Sequence, residues 1–208
     1  NRLLSAGIDR KWRRRAVREL SPNGGLYLDV AAGTGDMAIE IARQSSGAKV
    51  VATDFSLEML AIGARKTAGK PVMHGQGDAL ELAFRENSFD GITCAFGIRN
   101  FHDLNKGLTE MVRVLKPGGR TAILEFATPE NRLIRKLYLP YFHKILPLVG
   151  SFISGNRSAY NYLPDSVKEF PKGKDLAAIL EDAGFIDVSV TELSFGICDL
   201  ITARKPIS

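Results

Sequence analysis

The sequence predicts an α/β fold of the Rossmann-like type, with a mostly parallel seven-stranded sheet, a C-terminal antiparallel hairpin and a helical cap insertion. Three observations support this prediction. Strand-like apolar runs alternate with amphipathic helical segments from Leu26 to Phe126, which is the pattern of βαβ units. A glycine-containing turn joins the first strand of this series to its first helix. Two further strand-like runs, with a turn between them, close the chain.

The N-terminal segment Asn1–Leu20 is expected to form a basic amphipathic helix. An apolar stripe recurs at every fourth position, at Leu4, Ile8, Trp12, Ala16 and Leu20. Basic residues are expected to surround this stripe, at Arg10, Lys11, Arg13, Arg14, Arg15 and Arg18. Turn-forming residues over Ser21–Gly25 end the helix.

The alternating part of the chain is predicted segment by segment from its apolar runs. The expected strands are Leu26–Ala31, Ala48–Thr53, Val72–Gly75, Phe89–Phe96 and Arg120–Phe126. The helices expected between them are Met37–Gln44, Leu57–Lys66 and Leu104–Leu115. Lys116–Gly119 is expected to break the third helix, because proline and glycine disfavour helical continuation. This order of elements implies a parallel sheet.

The remainder of the chain departs from this alternation. Leu133–Ile153 is apolar and interrupted by proline and glycine, so it predicts an inserted helical cap at about residues 130–165. A helix over Asp175–Ala183 is expected to stop at Gly184. Strands Val188–Leu193 and Gly196–Ala203 are expected to form the closing hairpin. Because no internal repeat or linker is visible, residues 1–208 are expected to form a single domain.

The composition is that of an ordinary globular protein. The 208 residues are 45% hydrophobic and 25% charged, which argues against disorder over most of the length. The net charge of +5 fits an anionic partner, whether a membrane surface, nucleic acid or a negative cofactor. It fits a solvated basic surface equally well.

The two cysteines and the lengths of the apolar runs indicate the compartment. Cys94 and Cys198 each lie in a strand-like run and lack the spacing of a metal or disulfide motif. They are expected to be buried thiols in a cytosolic chain. No apolar run reaches the roughly 18–20 residues that a membrane span needs, and no signal peptide is visible.

The most informative stretch is Asp29–Asp36, between the first strand and the first helix. Its two glycines permit a sharp turn and the close approach of a ligand, and in open α/β sheets ligands bind at the carboxyl ends of the strands. Asp54, at the end of the next strand, is suited to accept from both ribose hydroxyls of an adenosine. The residues expected to bind an adenosine cofactor are Asp29, Gly33, Thr34, Gly35, Asp54, Asp78, Ala79 and Ala95.

Two adenosine cofactors compete for this motif. Gly33-x-Gly35-x-x-Ala38, with Asp54 at the expected distance, satisfies the dinucleotide fingerprint, so an NAD-dependent oxidoreductase is an alternative. Asp29 and Asp36 bring negative charge to the turn, which suits a cationic ligand better than a pyrophosphate. A sulfonium cofactor that also carries an ammonium group matches these charges. The residues therefore favour S-adenosylmethionine, with NAD left open.

Several motifs together resemble a known enzyme family. They are NRLLS at residues 1–5 with Trp12, LDVAAGTGD at 28–36, FGIRN at 96–100, RVLKPGGR at 113–120 leading to Glu125, and NYLP at 161–164. Many class I methyltransferases share the glycine turn and the KPGG turn. The FGIRN motif after the fourth strand is typical of the ubiquinone/menaquinone C-methyltransferase family, which the chain resembles over nearly its whole length.

The resemblance implies methylation of a ring carbon in a prenylated quinol by S-adenosylmethionine. The acceptor would be demethylmenaquinol or a methoxy-benzoquinol, and another small aromatic or lipid acceptor stays open. The resemblance also implies cofactor contacts at Thr34, Asp54, Asp78 and Ala79. At position 95, Ala95 replaces a frequent serine, so only its backbone can serve. Asp9 is a second departure, since it stands where the family often has histidine.

Arg99 and Asn100 are the candidate catalytic residues, because they follow the fourth strand at the edge where the pocket is expected. Arg99 can stabilise a quinolate oxygen, and Asn100 can hydrogen-bond the second ring oxygen. Alternatively, Arg99 forms a structural ion pair and Asn100 caps the next helix. His102 and His143 are candidate bases, although a surface or packing role is the simpler interpretation. Tyr160 and His143 are the candidate substrate-binding residues.

The expected partners follow from this assignment. The apolar cap and its basic residues can hold a prenyl tail and rest on an anionic membrane, or the cap can simply pack on the sheet. A cytoplasmic enzyme, peripheral on the inner face of the cytoplasmic membrane, is therefore expected. Nucleic acid is not expected as a partner, and a homodimer stays open. No metal site is expected, since the methyl group already carries a good leaving group. An accessory protein that keeps an inactive cofactor fold is the non-enzyme alternative.

Overall fold

The computed structural model describes residues 7–129, 131–132, 136 and 170–207. The strands are β1 Leu26–Val30, β2 Lys49–Asp54, β3 Val72–Gln76, β4 Phe89–Ala95, β5 Leu115–Phe126, β6 Ile186–Leu193 and β7 Cys198–Arg204. The helices in the described part of the chain are α1 Asp9–Leu20, α2 Asp36–Gln44, α3 Leu57–Lys66, α4 Leu104–Val114 and α5 Gly173–Asp182. A 3₁₀ turn covers Ile98–Asn100.

The described strands form one sheet in the order β3-β2-β1-β4-β5-β7-β6. The first five strands are parallel, whereas β7 lies antiparallel between β5 and β6. The turn of the closing hairpin has positive φ at Ser194, Phe195 and Gly196. The structure thus confirms the predicted Rossmann-like sheet and its C-terminal hairpin.

Helices cover both faces of the sheet, which explains why its central strands are almost continuously buried. α1 and α2 pack on one face through Trp12, Ala16, Leu20, Met37 and Ile41. α4 and α5 pack on the other face through Leu108, Met111, Leu176 and Leu180. Alternation along β1 directs Leu28 and Val30 to the α4 side and leaves Asp29 on the α2 side. Both cysteines are buried, as predicted.

The start of β5 differs from the prediction. The segment Lys116–Gly119 lies inside the strand and is not a break before it. Leu115 pairs with Phe89, and the register then shifts so that Arg120 pairs with Gly91. Gly118 has φ +74 within this irregular stretch. Proline and glycine therefore produce a bulged strand entry here, which local propensity alone does not distinguish from a turn.

The buried face of α1 is also rotated from the predicted stripe. Trp12, Ala16 and Leu20 are buried as expected, but Ile8 is 41% exposed and Arg13 only 7% exposed. α1 packs against β5 and against α2, and this contact brings Arg13 and Val17 onto the buried side. Residues 1–6 of the predicted helix lie outside the described residues.

The predicted cap at about 130–165, including Leu133–Ile153, lies almost entirely outside the described residues, as do the NYLP motif, His143 and Tyr160. Within the part that the structure describes, no helix is long and apolar enough to cross a membrane.

Candidate functional site

A cavity of about 840 Å³ opens at the carboxyl edge of the parallel strands. Its volume is within the range of about 300–1,000 Å³ that small-molecule sites have. Its wall includes segments that follow β1, β2, β3 and β4, as the sheet order requires. The predicted cofactor residues that the structure brings together on this wall are Gly33, Thr34, Asp54, Asp78, Ala79 and Ala95.

Asp54 joins the glycine turn to the start of α3. One oxygen of its carboxylate accepts from the Gly33 N–H at 2.7 Å. The other accepts from the Ser56 N–H at 2.9 Å, and the Ser56 hydroxyl caps α3. Two backbone donors therefore fix the orientation of a carboxylate on the cavity wall, where it can accept further hydrogen bonds from a ligand.

Asp78 and Ala79 follow β3 on the same wall. Asp78 accepts from the Leu80 N–H at 2.9 Å, which closes a local turn. Gly77 precedes them, and a Cβ atom at that position would lie 2.7 Å from the Thr53 hydroxyl oxygen. Only glycine therefore allows the backbone to pass Thr53 and present Asp78 and Ala79 to the cavity.

Asp29 lies beneath the turn and is absent from the residues described on the cavity wall, which corrects the predicted direct contact with a ligand. Its carboxylate accepts from the Thr93 hydroxyl at 2.8 Å and from the Ala38 N–H at 3.2 Å. Burial raises the pKa of Asp29 to about 7, although the Thr93 hydrogen bond and the Arg13 charge act in the opposite direction. Asp29 thus ties α2 to the centre of the sheet.

We expect Asp29 to make the protein less stable as the pH rises from about 4 to about 7. In the unfolded chain the carboxyl group ionises near pH 3.8, whereas in the folded chain it keeps its proton to about pH 7. Unfolding between these values releases a proton. Each pH unit then lowers the free energy of unfolding by roughly 1 kcal/mol for this one group.

The measurement is urea unfolding of wild type and Asp29→Asn at pH values from 5 to about 8. Asparagine can keep both hydrogen bonds but does not ionise. The free energy of unfolding of the variant, relative to that of wild type, should rise towards pH 7 and then become constant. A difference that stays constant across this range would show that Asp29 is ionised throughout.

Gly35 was predicted as a cofactor contact, but it is not among the described residues that line the cavity. It adopts φ +75, and a Cβ atom there would face Thr67 and His74 and point away from the cavity. The glycine serves the turn through its backbone conformation. His74 itself contacts the Thr67 hydroxyl at 2.8 Å, in agreement with a structural role.

Asp36 carries less free negative charge than the sequence suggests. Its carboxylate forms a 2.6 Å ion pair with Lys66 and accepts from the Thr34 hydroxyl at 3.2 Å. Lys66 also donates to the Thr34 hydroxyl at 3.3 Å. This pairing weakens the charge argument that used Asp36 to favour a cationic ligand, and it fixes Thr34 on the wall.

The segment Phe96–Asn100 turns sharply after β4. Phe96 has φ +62, and Gly97 packs so closely that a Cβ atom would lie 2.6 Å from that of Ala31. Asn100 is exposed on the cavity wall, consistent with the predicted contact with substrate. Asp103 caps α4 by accepting from the Lys106 N–H, so the alternative role of Asn100 as that cap is wrong.

Arg99 is not among the residues described on the cavity wall, and its contact with a quinolate oxygen stays a prediction. Its side chain is 10% exposed and forms an ion pair with Glu125, which is 2% exposed. Arg99 also donates to the Phe96 carbonyl at 2.8 Å. Burial raises the pKa of Glu125, and the Arg99 charge opposes that shift. The pair holds the turn that presents Asn100.

Arg13 is a wall residue that sequence reasoning assigned to the basic surround of α1. Its guanidinium lies 5.3 Å from the centre of the Phe96 ring. Phe96 in turn stacks on Phe126 at 4.4 Å. The available signal was the pair Asp9 and Arg13, opposite charges four residues apart on the face that also contains Ala16 and Leu20.

His102 lies exposed on the wall next to Asn100, so the structure keeps it as a candidate base. His143 and Tyr160 are outside the described residues.

Proteins of known family share this chain's sequence over nearly its full length. The model of the ubiE/COQ5 methyltransferase family matches residues 1–205. The chain is 47% identical to the ubiquinone/menaquinone biosynthesis C-methyltransferase UbiE of Geobacter sulfurreducens, over 99% of this chain and 82% of that protein. It is 41% identical to the demethylmenaquinone methyltransferase of Bacteroides fragilis, over 99% of this chain and 86% of that protein.

A solved structure supports the fold. A Haemonchus contortus phosphoethanolamine N-methyltransferase 2, solved with S-adenosyl-L-methionine, superposes with a TM-score of 0.69. The match covers 94% of this chain and 52% of that one, at 19% sequence identity. At this identity the likeness concerns the fold alone.

Proposed function

Because the chain belongs to the ubiE/COQ5 methyltransferase family, we propose that it methylates a ring carbon of demethylmenaquinol. It is an S-adenosylmethionine-dependent C-methyltransferase of quinone biosynthesis. Family membership identifies S-adenosylmethionine, and not NAD, as the cofactor. It therefore argues against the oxidoreductase alternative and against the inactive accessory protein. The observation that carries the assignment is the family match over residues 1–205.

The cavity fits the cofactor in volume and in chemistry. Asp54 would accept from the two ribose hydroxyls, because its carboxylate is held on the wall by the Gly33 and Ser56 amides. Asp78 and Ala79 would contact the adenine, since they follow β3 on the adenosine side of the cavity. The backbone of Ala95 borders the same space. When bound, S-adenosylmethionine supplies the methyl group on its sulfonium sulfur.

The residues after β4 would act on the quinol. Asn100 would hydrogen-bond a ring oxygen and so orient the ring carbon towards the cofactor. Arg99 and Glu125 act through Asn100, because their ion pair holds the turn. His102 on the neighbouring wall would take the hydroxyl proton, which moves electron density to the adjacent ring carbon.

The naphthoquinol acceptor is supported by the relative from Bacteroides fragilis, which is named for demethylmenaquinone. The relative from Geobacter sulfurreducens is named for both quinone pathways, so a methoxy-benzoquinol is the second candidate. The prenyl tail of either acceptor resides in a membrane, and the chain has a net charge of +5. We therefore include peripheral binding to an anionic membrane surface, on its cytoplasmic side, in the proposal.

The test is methyl transfer from labelled S-adenosylmethionine to acceptors embedded in vesicles. Demethylmenaquinol and a prenylated methoxy-benzoquinol are offered separately, each in neutral and in anionic vesicles, with the oxidised quinones as controls. We expect label in demethylmenaquinol, faster on anionic vesicles, and none in the oxidised forms. Label in the benzoquinol alone would contradict the proposal that demethylmenaquinol is the acceptor. Equal rates on both vesicle types would contradict the proposed binding to an anionic membrane surface.

A further inference from the structure

We propose that Arg13 binds the α-carboxylate of S-adenosylmethionine and thereby positions the amino-acid end of the cofactor. This inference rests on the cofactor assignment above and concerns a residue that no sequence motif identified as a ligand contact. It is carried by the place of Arg13 in the cavity, by the charges around that cavity, and by the burial of its guanidinium.

The sheet order gives the direction in which the cofactor lies. Asp78 follows β3 and Asp54 is the last residue of β2, so the adenosine end belongs on that side of β1. Phe96 follows β4, on the opposite side of β1, and Arg13 lies over its ring. A cofactor whose ribose is held by Asp54 would therefore extend its amino-acid part across the glycine turn towards Arg13.

The charged residues on the cavity wall indicate that Arg13 is the partner for a negatively charged group of a ligand. Among the described lining residues, Asp36, Asp54 and Asp78 carry carboxylates, and Arg13 alone carries a fixed positive charge. Asp36 is paired with Lys66, and Asp54 and Asp78 are assigned to the adenosine end. S-adenosylmethionine carries a single carboxylate, at its amino-acid end. An arginine fork is the side chain best matched to that group.

The hydrogen bonding of Arg13 is incomplete without a ligand. Its side chain is 8% exposed, and its Nε lies 3.6 Å from the nearest Asp9 oxygen. That distance permits an ion pair but not a hydrogen bond, and no described residue accepts from this Nε. Asp9 therefore does not use the hydrogen-bonding capacity of this guanidinium fully, and a ligand carboxylate on its cavity side would form charge-assisted hydrogen bonds with it.

The test compares two cofactors that differ only in the carboxylate. S-adenosylmethionine and its decarboxylated form are titrated by calorimetry into wild type and Arg13→Met. We expect the variant to raise the Kd of S-adenosylmethionine by about 10- to 100-fold. The Kd of the decarboxylated form should change by less than about threefold, because it has no carboxylate to lose.

Arg14→Met is the matched control, because Arg14 is half exposed on the same helix and does not line the cavity. Its two affinities should equal those of wild type. Arg13→Lys keeps the positive charge but loses the two parallel donors of the guanidinium. It should also weaken the binding of S-adenosylmethionine selectively, although less than Arg13→Met does. This variant replaces Arg13→Met in the comparison if Arg13→Met does not fold.

Two outcomes would overturn the inference: equal weakening of both cofactors, which would mean that Arg13 only supports Phe96, or no weakening of either. Failure of wild type to bind either cofactor would instead contradict the cofactor assignment itself.

Discussion

Replacement of Glu125 by leucine is expected to lower the free energy of unfolding by about 3–5 kcal/mol, because it leaves the buried Arg99 guanidinium without its counter-charge. Glu125 also accepts from the Phe126 N–H at 2.9 Å and from the Arg99 N–H at 3.3 Å. The measurement is equilibrium urea unfolding, with the midpoint and slope compared between wild type and variant.

The matched control is Glu19→Gln, in an ion pair with Arg15 whose side chains are 42% and 56% exposed. Such an exposed pair contributes at most about 1 kcal/mol. The double variant Arg99→Met/Glu125→Leu should regain roughly half of the Glu125→Leu loss, since the uncompensated charge is gone while two backbone donors remain unmatched. A Glu125→Leu loss as small as that of Glu19→Gln would show that the pair is not buried in solution.

The same double variant tests how Arg99 contributes to turnover. If Arg99 only positions the turn that presents Asn100, the double variant should bind S-adenosylmethionine normally and lose part of its turnover. Asn100→Ala should then lose more. A direct role of Arg99 on the quinol oxygen predicts the reverse order of losses. Single-turnover methyl transfer at saturating cofactor distinguishes the two orders.

Replacement of Asp54 by alanine is expected to weaken cofactor binding strongly. We expect the Kd for S-adenosylmethionine to rise by at least about 100-fold, because two hydrogen bonds between a charged group and the ribose hydroxyls would be lost. The Gly33 and Ser56 amides would also lose their acceptor, so the glycine turn becomes less ordered. Calorimetric titration of the variant measures the change.

Asp90→Ala is the control for Asp54→Ala. Asp90 also accepts from a backbone N–H, that of Leu26 at 2.8 Å, but it lies at the amino ends of β1 and β4, at the opposite edge of the sheet. Its removal should leave cofactor affinity within about twofold. If Asp54→Ala binds the cofactor as well as Asp90→Ala does, the ribose does not contact Asp54.

These predictions share one structural cause. The cavity wall is formed by segments at the ends of neighbouring strands, and buried residues on the far side of these segments hold them in place. Asp29 supports the start of α2, and the Arg99–Glu125 pair supports the turn after β4. Substitution of a residue that contacts the cofactor should therefore change cofactor affinity. Substitution of a residue that holds it in place should change stability or turnover and leave cofactor affinity unchanged.

The order of elements, the parallel sheet and the edge at which the site lies could all be predicted from local sequence patterns. Apolar periodicity sets which segments become strands or helices, and parallel strands bring their carboxyl ends to one edge. Asp54, Asp78 and Ala79 could be placed at the cavity from the sequence because each directly follows a strand or its terminal turn. The closing hairpin was predictable for the same local reason.

Which side chains face the cavity depends on tertiary packing and could not be predicted from these patterns. Asp29 and Arg99 are close to wall residues along the chain, yet alternation along β1 and the partner supplied by β5 turn them into the interior. Arg13 was expected on the basic surround, and the packing of α1 on the sheet buried it against Phe96. The direction of a side chain depends on contacts between distant segments, such as that between Arg99 and Glu125, which lie 26 positions apart in the chain. Local periodicity contains no information about those contacts.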